Sequence, residues 1–123
     1  MTQPLRILTV DDSASMRALL LHALDSRGFE VAQADDGQAA LEWLAANDVD
    51  VIITDINMPR LDGFGLIERL RASGRHCDRP ILVLSTESSD EKKSRARAAG
   101  ATGWIVKPFD AEKLAAAVRR VAH

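Results

Sequence analysis

Val51-Ile-Ile-Thr54 constrains this chain more than any other stretch. Apolar and β-branched side chains follow one another without a polar break, after Asn47, Asp48 and Asp50. That pattern predicts a strand covered on both faces, hence a central strand of a parallel sheet with helices above and below it. The run stops at Asp55, because an unpaired carboxylate is costly inside a dry strand. Pro59 prevents further pairing, and Asp62-Gly63 marks a turn and a helix start. One acid is therefore expected at the C-terminal mouth of a buried strand, the edge where open α/β sheets bind ligands. Taken alone, Asp55 would serve equally well as a turn or cap residue.

The rest of the chain repeats the pattern. Leu5 to Val10 reads as a first strand that ends abruptly in Asp11-Asp12, with Ser13 as a helix cap. The next helix places Met16, Leu19, Leu20, Ala23 and Leu24 on one face and stops at Gly28. Phe29 to Ala34 is a second strand, and Asp35-Asp36-Gly37 turns into a helix over 38–46 that carries Leu41 and Leu44. The helix after Asp62 turns Leu66, Ile67 and Leu70 inward and ends near Ser73-Gly74. Pro80 to Leu84 is a fourth strand and runs into Ser85-Thr86-Glu87. The fourth helix begins near Ser88, with Glu91 completing a capping box, and stops at Gly100. Gly103 to Val106 is the fifth strand, ending in Lys107-Pro108-Phe109. Asp110 caps a last helix whose inward face is Leu114, Ala117, Val118 and Val121. Strand and helix alternate five times, which implies one α/β domain with right-handed crossovers and helices on both faces of a parallel sheet. The fourth helix is nearly all polar, so it is either a plain solvent-facing helix or an element free to move.

A chain of 123 residues, 46% hydrophobic, suits one domain with one core. Its net charge of −2 is unevenly spread. Residues 1–62 hold 4 basic and 11 acidic side chains, whereas residues 92–123 hold 8 basic and 2 acidic ones. The acidic half favours a cation and the basic end an acidic partner. The single cysteine, Cys77, permits no internal disulfide, so a reduced, cytoplasmic setting is expected. Thr2-Gln3-Pro4 leads straight into a strand, which argues against a secretory leader. No apolar run is long enough to span a membrane.

Parallel strands put their C-terminal ends on one side, so the groups that follow them can converge. They are Asp11 and Asp12 after strand one, Asp55 after strand three, Ser85 or Thr86 after strand four and Lys107 after strand five. Carboxylates crowded together repel unless a cation joins them. Mg²⁺, a hard ion that takes few carboxylates and keeps room for phosphate oxygens, suits that donor set. Lys107 supplies a point charge for a phosphoryl oxygen, and Asp55 is a candidate nucleophile that would form an aspartyl phosphate. Singly, each residue has an ordinary explanation as a cap, a surface lysine or a loop hydroxyl. The ordered set carries the reading.

Val10-Asp11-Asp12-Ser13, Asp55-Ile-Asn57-Met58-Pro59 with Asp62-Gly63, Ser85-Thr86-Glu87 and Lys107-Pro108-Phe109 together resemble the response-regulator receiver domain. The resemblance covers essentially the whole chain and is nearest to the free-standing chemotaxis regulators of that family. It implies a flavodoxin-like five-stranded parallel sheet in the order 2-1-3-4-5, and a receiver domain over 1–123 with no output domain. It implies that Asp55 is the phosphoacceptor and that Mg²⁺ is held by Asp12 directly, Asp11 through water, Asp55 and the backbone carbonyl of Asn57. Ser85 and Lys107 would contact the phosphoryl group, the bond before Pro108 would be cis, and Trp104 would be the switch aromatic. The chain would be no enzyme but a phosphoacceptor with self-catalysed phosphorylation and dephosphorylation.

Its partners would be a sensor histidine kinase, a target protein such as the flagellar switch, and a phosphatase. No nucleic acid or membrane is implied, and a monomer is expected. In the implied switch, Ser85 moves toward the phosphoryl group, Trp104 turns inward and the fourth helix shifts. The altered face carries some of Lys92, Lys93, Arg95, Arg97, Lys113, Arg119 and Arg120 and would attract an acidic peptide. Two departures bear on the target: Trp104 stands where chemotaxis members often carry Tyr, and Ile56 rather than Trp follows Asp55. Other readings are a phosphate sink for a shared kinase and a Mg²⁺-dependent phosphatase of haloacid dehalogenase type. The latter uses Asp-x-Asp, where this chain has Asn57. Trp43 reads as a packing residue, and His22, His76 and His123 as ordinary helix and loop residues.

Overall fold

The computed structural model describes residues 3–122, so the readings that touch Thr2 and His123 fall outside the described residues. Five strands and five helices alternate: β1 (Arg6–Val10), α1 (Ala14–Asp25), β2 (Glu30–Ala34), α2 (Gly37–Leu44), β3 (Val51–Thr54), α3 (Gly63–Ala72), β4 (Ile81–Ser85), α4 (Asp90–Ala99), β5 (Gly103–Val106) and α5 (Ala111–Val121). The sheet is parallel throughout and its order is β2-β1-β3-β4-β5, the expected flavodoxin-like arrangement. β3 lies at the centre, with Ile52 opposite Leu8 of β1 and Ile81 of β4, and all four of its residues are buried.

The period of two along the strands divides the core into two layers. Ile7, Val51, Ile53, Leu82 and Leu84 face α1 and α5, meeting Leu20, Leu24, Leu114, Ala115 and Val118. Leu8, Val10, Ile52, Ile81 and Val83 face α2, α3 and α4, meeting Leu44, Leu66, Ile67, Leu70 and Ala96. Burying each large aliphatic side chain contributes about 1.5–3 kcal/mol. The chain moves outward from β1 to β2, then crosses back to β3 on the other side of β1. The C-terminal ends of β1 and β3 therefore flank the topological switch point, where a crevice opens.

Each helix starts on a Ser or Asp whose side chain accepts from a backbone N–H three residues on: Ser13, Asp36, Asp62, Ser89 and Asp110. Such caps are worth about 1 kcal/mol each. Four expectations need correction. Leu19 stands 57% exposed, because the stripe that α1 buries is Leu20, Ala23 and Leu24, and Leu19 lies on its rim beside Phe109. α5 buries Ala115, while Ala117 and Val121 are half-buried at the edge of the same layer. The α4 cap is Ser89, not Ser88, which moves Glu91 out of the capping-box register and puts Lys92 N–H on the cap hydroxyl. α2 also ends two residues earlier than expected, at Leu44.

Candidate functional site

Asp55 continues the ladder by one bond, its N–H donating to the Val10 carbonyl at 2.9 Å. This fixes the residue beside Asp11, which is held in turn by its own N–H to the Ala34 carbonyl. The Asp55 carboxylate accepts from the Ile56 N–H through Oδ1 (2.6 Å) and from Lys107 Nζ through Oδ2 (2.9 Å). Asp11 is arranged in the same way, with Oδ1 accepting from the Ser13 N–H (2.9 Å) and Oδ2 from Lys107 Nζ (2.9 Å). One ammonium thus bridges the acids of β1 and β3 from the end of β5. Burial pulls the Lys107 ammonium toward neutrality, but its bonds to Asp11 and Asp55 outweigh that and hold its pKa above the usual lysine value. The Lys107–Pro108 bond is cis.

Asp11 is buried, Asp55 half-buried and Asp12 exposed. Among the described residues these three form a group whose carboxylate oxygens lie within 4.8 Å of one another. Three hard oxygen donors at that spacing fit a small divalent cation, which gathers oxygens at about 2.0–2.1 Å and keeps several waters. The exposed Asp12 gives the site an open, solvated side.

Asn57 lies two residues past Asp55 in an exposed loop. The loop doubles back, with the Gly63 N–H donating to the Ile56 carbonyl at 2.8 Å. A Cβ on Gly63 would stand 2.3 Å from the Asp55 carbonyl oxygen, so only glycine lets α3 start against the acid. Ser85 ends β4 fully buried, its Oγ accepting from the Glu87 N–H (3.1 Å), while Thr86 is exposed. Of the two hydroxyls left open by the sequence, Ser85 is thus the one packed inside. Trp104 is half-buried against the layer containing Ala96, and its Nε1–H donates to the Glu87 carbonyl at 2.9 Å. The Glu87 carboxyl is held below its usual pKa mainly by Lys92, 2.8 Å away, and also by the Asn57 side chain.

Sequence reasoning missed two participants. Arg17 caps the Asp11 carbonyl through Nη1 (2.6 Å), and Arg60 forms a two-pronged ion pair with Asp36. Arg60 and Asp36 are 24 positions apart, and the bond from Arg17 is to a backbone carbonyl that any residue could present, so no sequence pattern announces them. Trp43 is half-buried against the core, as expected of a packing residue. His76, expected in an ordinary loop environment, is buried with Nε2 on the Leu44 carbonyl (2.9 Å).

A five-stranded parallel α/β domain with an acid–lysine cluster at its switch point defines a class of regulatory domain. The family model for the response regulator receiver domain matches residues 7–119, and the chain belongs to that family. It is similar to response regulator MprA of Mycolicibacterium vanbaalenii, 40% identical over 94% of this chain and 49% of the relative. It is similar also to chemotaxis protein CheY of Pseudomonas aeruginosa, 36% identical over 95% of each chain. The structure of chemotaxis protein CheY4 from Vibrio cholerae superposes with a TM-score of 0.92 at 44% identity, covering 96% of this chain and 98% of that one. The chain spans about half the length of the MprA relatives it matches. It is therefore the receiver domain of a two-component response regulator. Among the described residues no helix is long and apolar enough to cross a membrane.

Proposed function

We propose that this receiver is phosphorylated on Asp55 by a cytoplasmic sensor histidine kinase, with Mg²⁺, and that phosphorylation changes the face formed by α4, β5 and α5 to control a target. The observation that carries this reading is the Lys107 ammonium bridging Asp11 and Asp55 at 2.9 Å each, with Asp12 beside them. An oxygen of Asp55 attacks the phosphohistidine phosphorus. The O–P bond forms as the N–P bond breaks, and the imidazole leaves with the bonding pair and takes a proton from solvent. Asp11, Asp12, Asp55 and the Asn57 carbonyl would hold Mg²⁺, which neutralises charge on the transferring group. Lys107 is already placed to follow a phosphoryl oxygen, and the Ile56 N–H keeps the carboxylate oriented.

Transfer puts up to two negative charges at the mouth of β3. Ser85 leaves the Glu87 N–H to donate to a phosphoryl oxygen, and Glu87 carries the Trp104 indole with it. The chain turns over no external substrate in this reading. It is a phosphoacceptor that assists its own phosphorylation and dephosphorylation. The end-to-end likeness to CheY supports a single-domain regulator of chemotaxis type acting on a flagellar switch protein. The MprA likeness supports a receiver that serves another output. A phosphate sink differs from both in having no target.

Intact mass after incubation with acetyl phosphate tests the chemistry. One phosphoryl adduct is expected for wild type with Mg²⁺, and none for Asp55→Asn or without Mg²⁺. No adduct from either acetyl phosphate or a competent histidine kinase would sink the reading. Ser85→Ala should still be phosphorylated yet bind target equally with and without phosphate. Retained phosphate-dependent binding in that variant would refute the switch.

A further inference from the structure

The loop that follows Asp55 is pinned from outside the site. Arg60 has a positive φ of 67°, an uncommon conformation for a residue with a side chain. Its guanidinium reaches Asp36 with Nε to Oδ2 at 2.6 Å and Nη2 to Oδ1 at 3.0 Å. The Asp36 carboxylate is buried, and its Oδ1 also caps α2 by accepting from the Ala39 N–H (2.8 Å). One residue on, the Gly37 N–H donates to the Leu61 carbonyl (3.2 Å), and a Cβ on Gly37 would stand 2.5 Å from that oxygen. The far end of the loop is fixed where Gly63 closes on Asp55 and Ile56. Asn57 lies between these two pins.

We infer that Arg60 and Asp36 form a clamp that holds the 57–61 segment in the conformation needed to present the Asn57 carbonyl to a divalent cation beside Asp55. This rests on the phosphoacceptor reading above and adds positioning residues to it. A two-pronged, charge-assisted pair restricts geometry more than a single contact does. A strained residue persists only where its surroundings over-determine it. Here the surroundings are a buried acid that is itself immobilised as a helix cap. A ligand carbonyl on a free exposed loop would have to be ordered at each binding event, and the clamp supplies that order in advance. Outer groups that orient metal ligands typically change affinity by about 10–100-fold when removed.

The test separates the ion pair from backbone strain and from the cap. Arg60→Gly removes the guanidinium but accepts a positive φ freely. Asp36→Asn keeps an oxygen that can cap α2 but loses the charge pairing. Arg60→Ala removes the guanidinium and keeps the strain, and Arg60→Lys keeps the charge without the fork. Mg²⁺ affinity by calorimetry and amide exchange of 57–62 in metal-free protein are measured for each.

Arg60→Gly, Arg60→Ala and Asp36→Asn should each weaken Mg²⁺ binding about tenfold and speed exchange in the segment, while Arg60→Lys recovers part of both. The Asp55 carboxylate is untouched by these changes, so saturating Mg²⁺ should restore the phosphoryl adduct. Wild-type affinity and exchange in Arg60→Gly would overturn the clamp. So would weakened binding in Arg60→Ala alone, which would assign the effect to strain. A wild type that takes up no Mg²⁺ would remove the phosphoacceptor reading and the clamp together.

Discussion

α3 and α4 are neighbours of equal length, ten residues each, on the same face of the sheet, and they are held in opposite ways. α3 buries Gly63, Phe64, Leu66, Ile67 and Leu70, whereas α4 buries Ala96 alone. At about 1.5–3 kcal/mol per large apolar side chain, the four on α3 anchor it many times more strongly than one methyl anchors α4. α4 instead hangs on polar contacts. Arg71 of α3 donates to the Gly100 carbonyl from Nε (2.9 Å) and Nη2 (2.8 Å), and Arg95 lies 4.0 Å over the Phe64 ring. Its other end has a serine cap and the Glu87–Lys92 pair. The anchored helix starts at the loop that follows Asp55, and the loosely held one starts at the loop that follows Ser85, which the proposed switch would pull. A helix that must move is drawn from the low-stability end of a structure.

The largest effect expected from this contrast is in α3. Leu66→Ala should cost about 2–5 kcal/mol, since Leu66 is fully buried in the core layer that holds Ile52, Ile81 and Val83 and truncation leaves a cavity there. Urea unfolding measures it. A loss below 1 kcal/mol, at the scale of a surface change, would mean that α3 is not the anchored element.

α3 was also the more legible of the two helices. Leu66, Ile67 and Leu70 keep a strict helical stripe, and Asp62-Gly63 announces its start, so the expected and observed boundaries nearly coincide. In α4, Ser88 and Ser89 can each cap, and the weak apolar pattern gives no second signal to choose between them. Leu19 misled for a different reason. Periodicity assigns a residue to a side of its helix but does not say how far the neighbouring elements extend over it. The convergence of Asp11, Asp12, Asp55 and Lys107 was legible because parallel strands fix which ends meet. The Arg60–Asp36 clamp was not, because its partners are 24 positions apart and Arg60 depends on a φ that no local motif demands.

Next in size is Arg71. It also donates from Nη1 to the carbonyls of Cys77 (3.0 Å) and Arg79 (2.6 Å), so Arg71→Ala strands several carbonyls at once. These carbonyls are half-buried or exposed, so water takes over part of their bonding, and losing the hydrogen bonds to the charged donor costs about 1.5–3 kcal/mol. The expected signature is local: amide exchange in 96–101 should rise more than in 64–70. Equal acceleration in both segments would show that the two helices open as one unit, and the contrast would fail.

A smaller effect is expected from the α4 cap. Ser89→Ala should cost about 0.5–2 kcal/mol and appear as fraying at Asp90 to Lys93. If α4 exchanges through local opening, much of that cost falls on the opened helix and global stability changes little. If global stability falls by the full amount instead, α4 unfolds only with the whole domain.

The smallest and most specific effect concerns Glu87. Its pairing with Lys92 lowers its pKa from the usual 4.5, so its stabilising contribution is present above that value and is lost as pH falls through the lowered one. The Trp104 Nε1–H sits on the carbonyl of the same residue, so its NMR resonance should titrate below pH 4.5. Asp36 also has a lowered pKa, set mainly by Arg60, and it titrates on the other side of the α3 start. In an Asp36→Asn background the Trp104 resonance should keep its acid titration, while the amides of Leu66 and Ile67 should not follow it. Lys92→Met should move the Trp104 midpoint up toward 4.5, because the largest cause of the depression is gone. An unmoved midpoint would show that the indole senses some other acid. It would also mean that the first turn of α4 is not electrostatically tied to the Ser85 loop, which would remove the physical reason for α4 to follow Ser85.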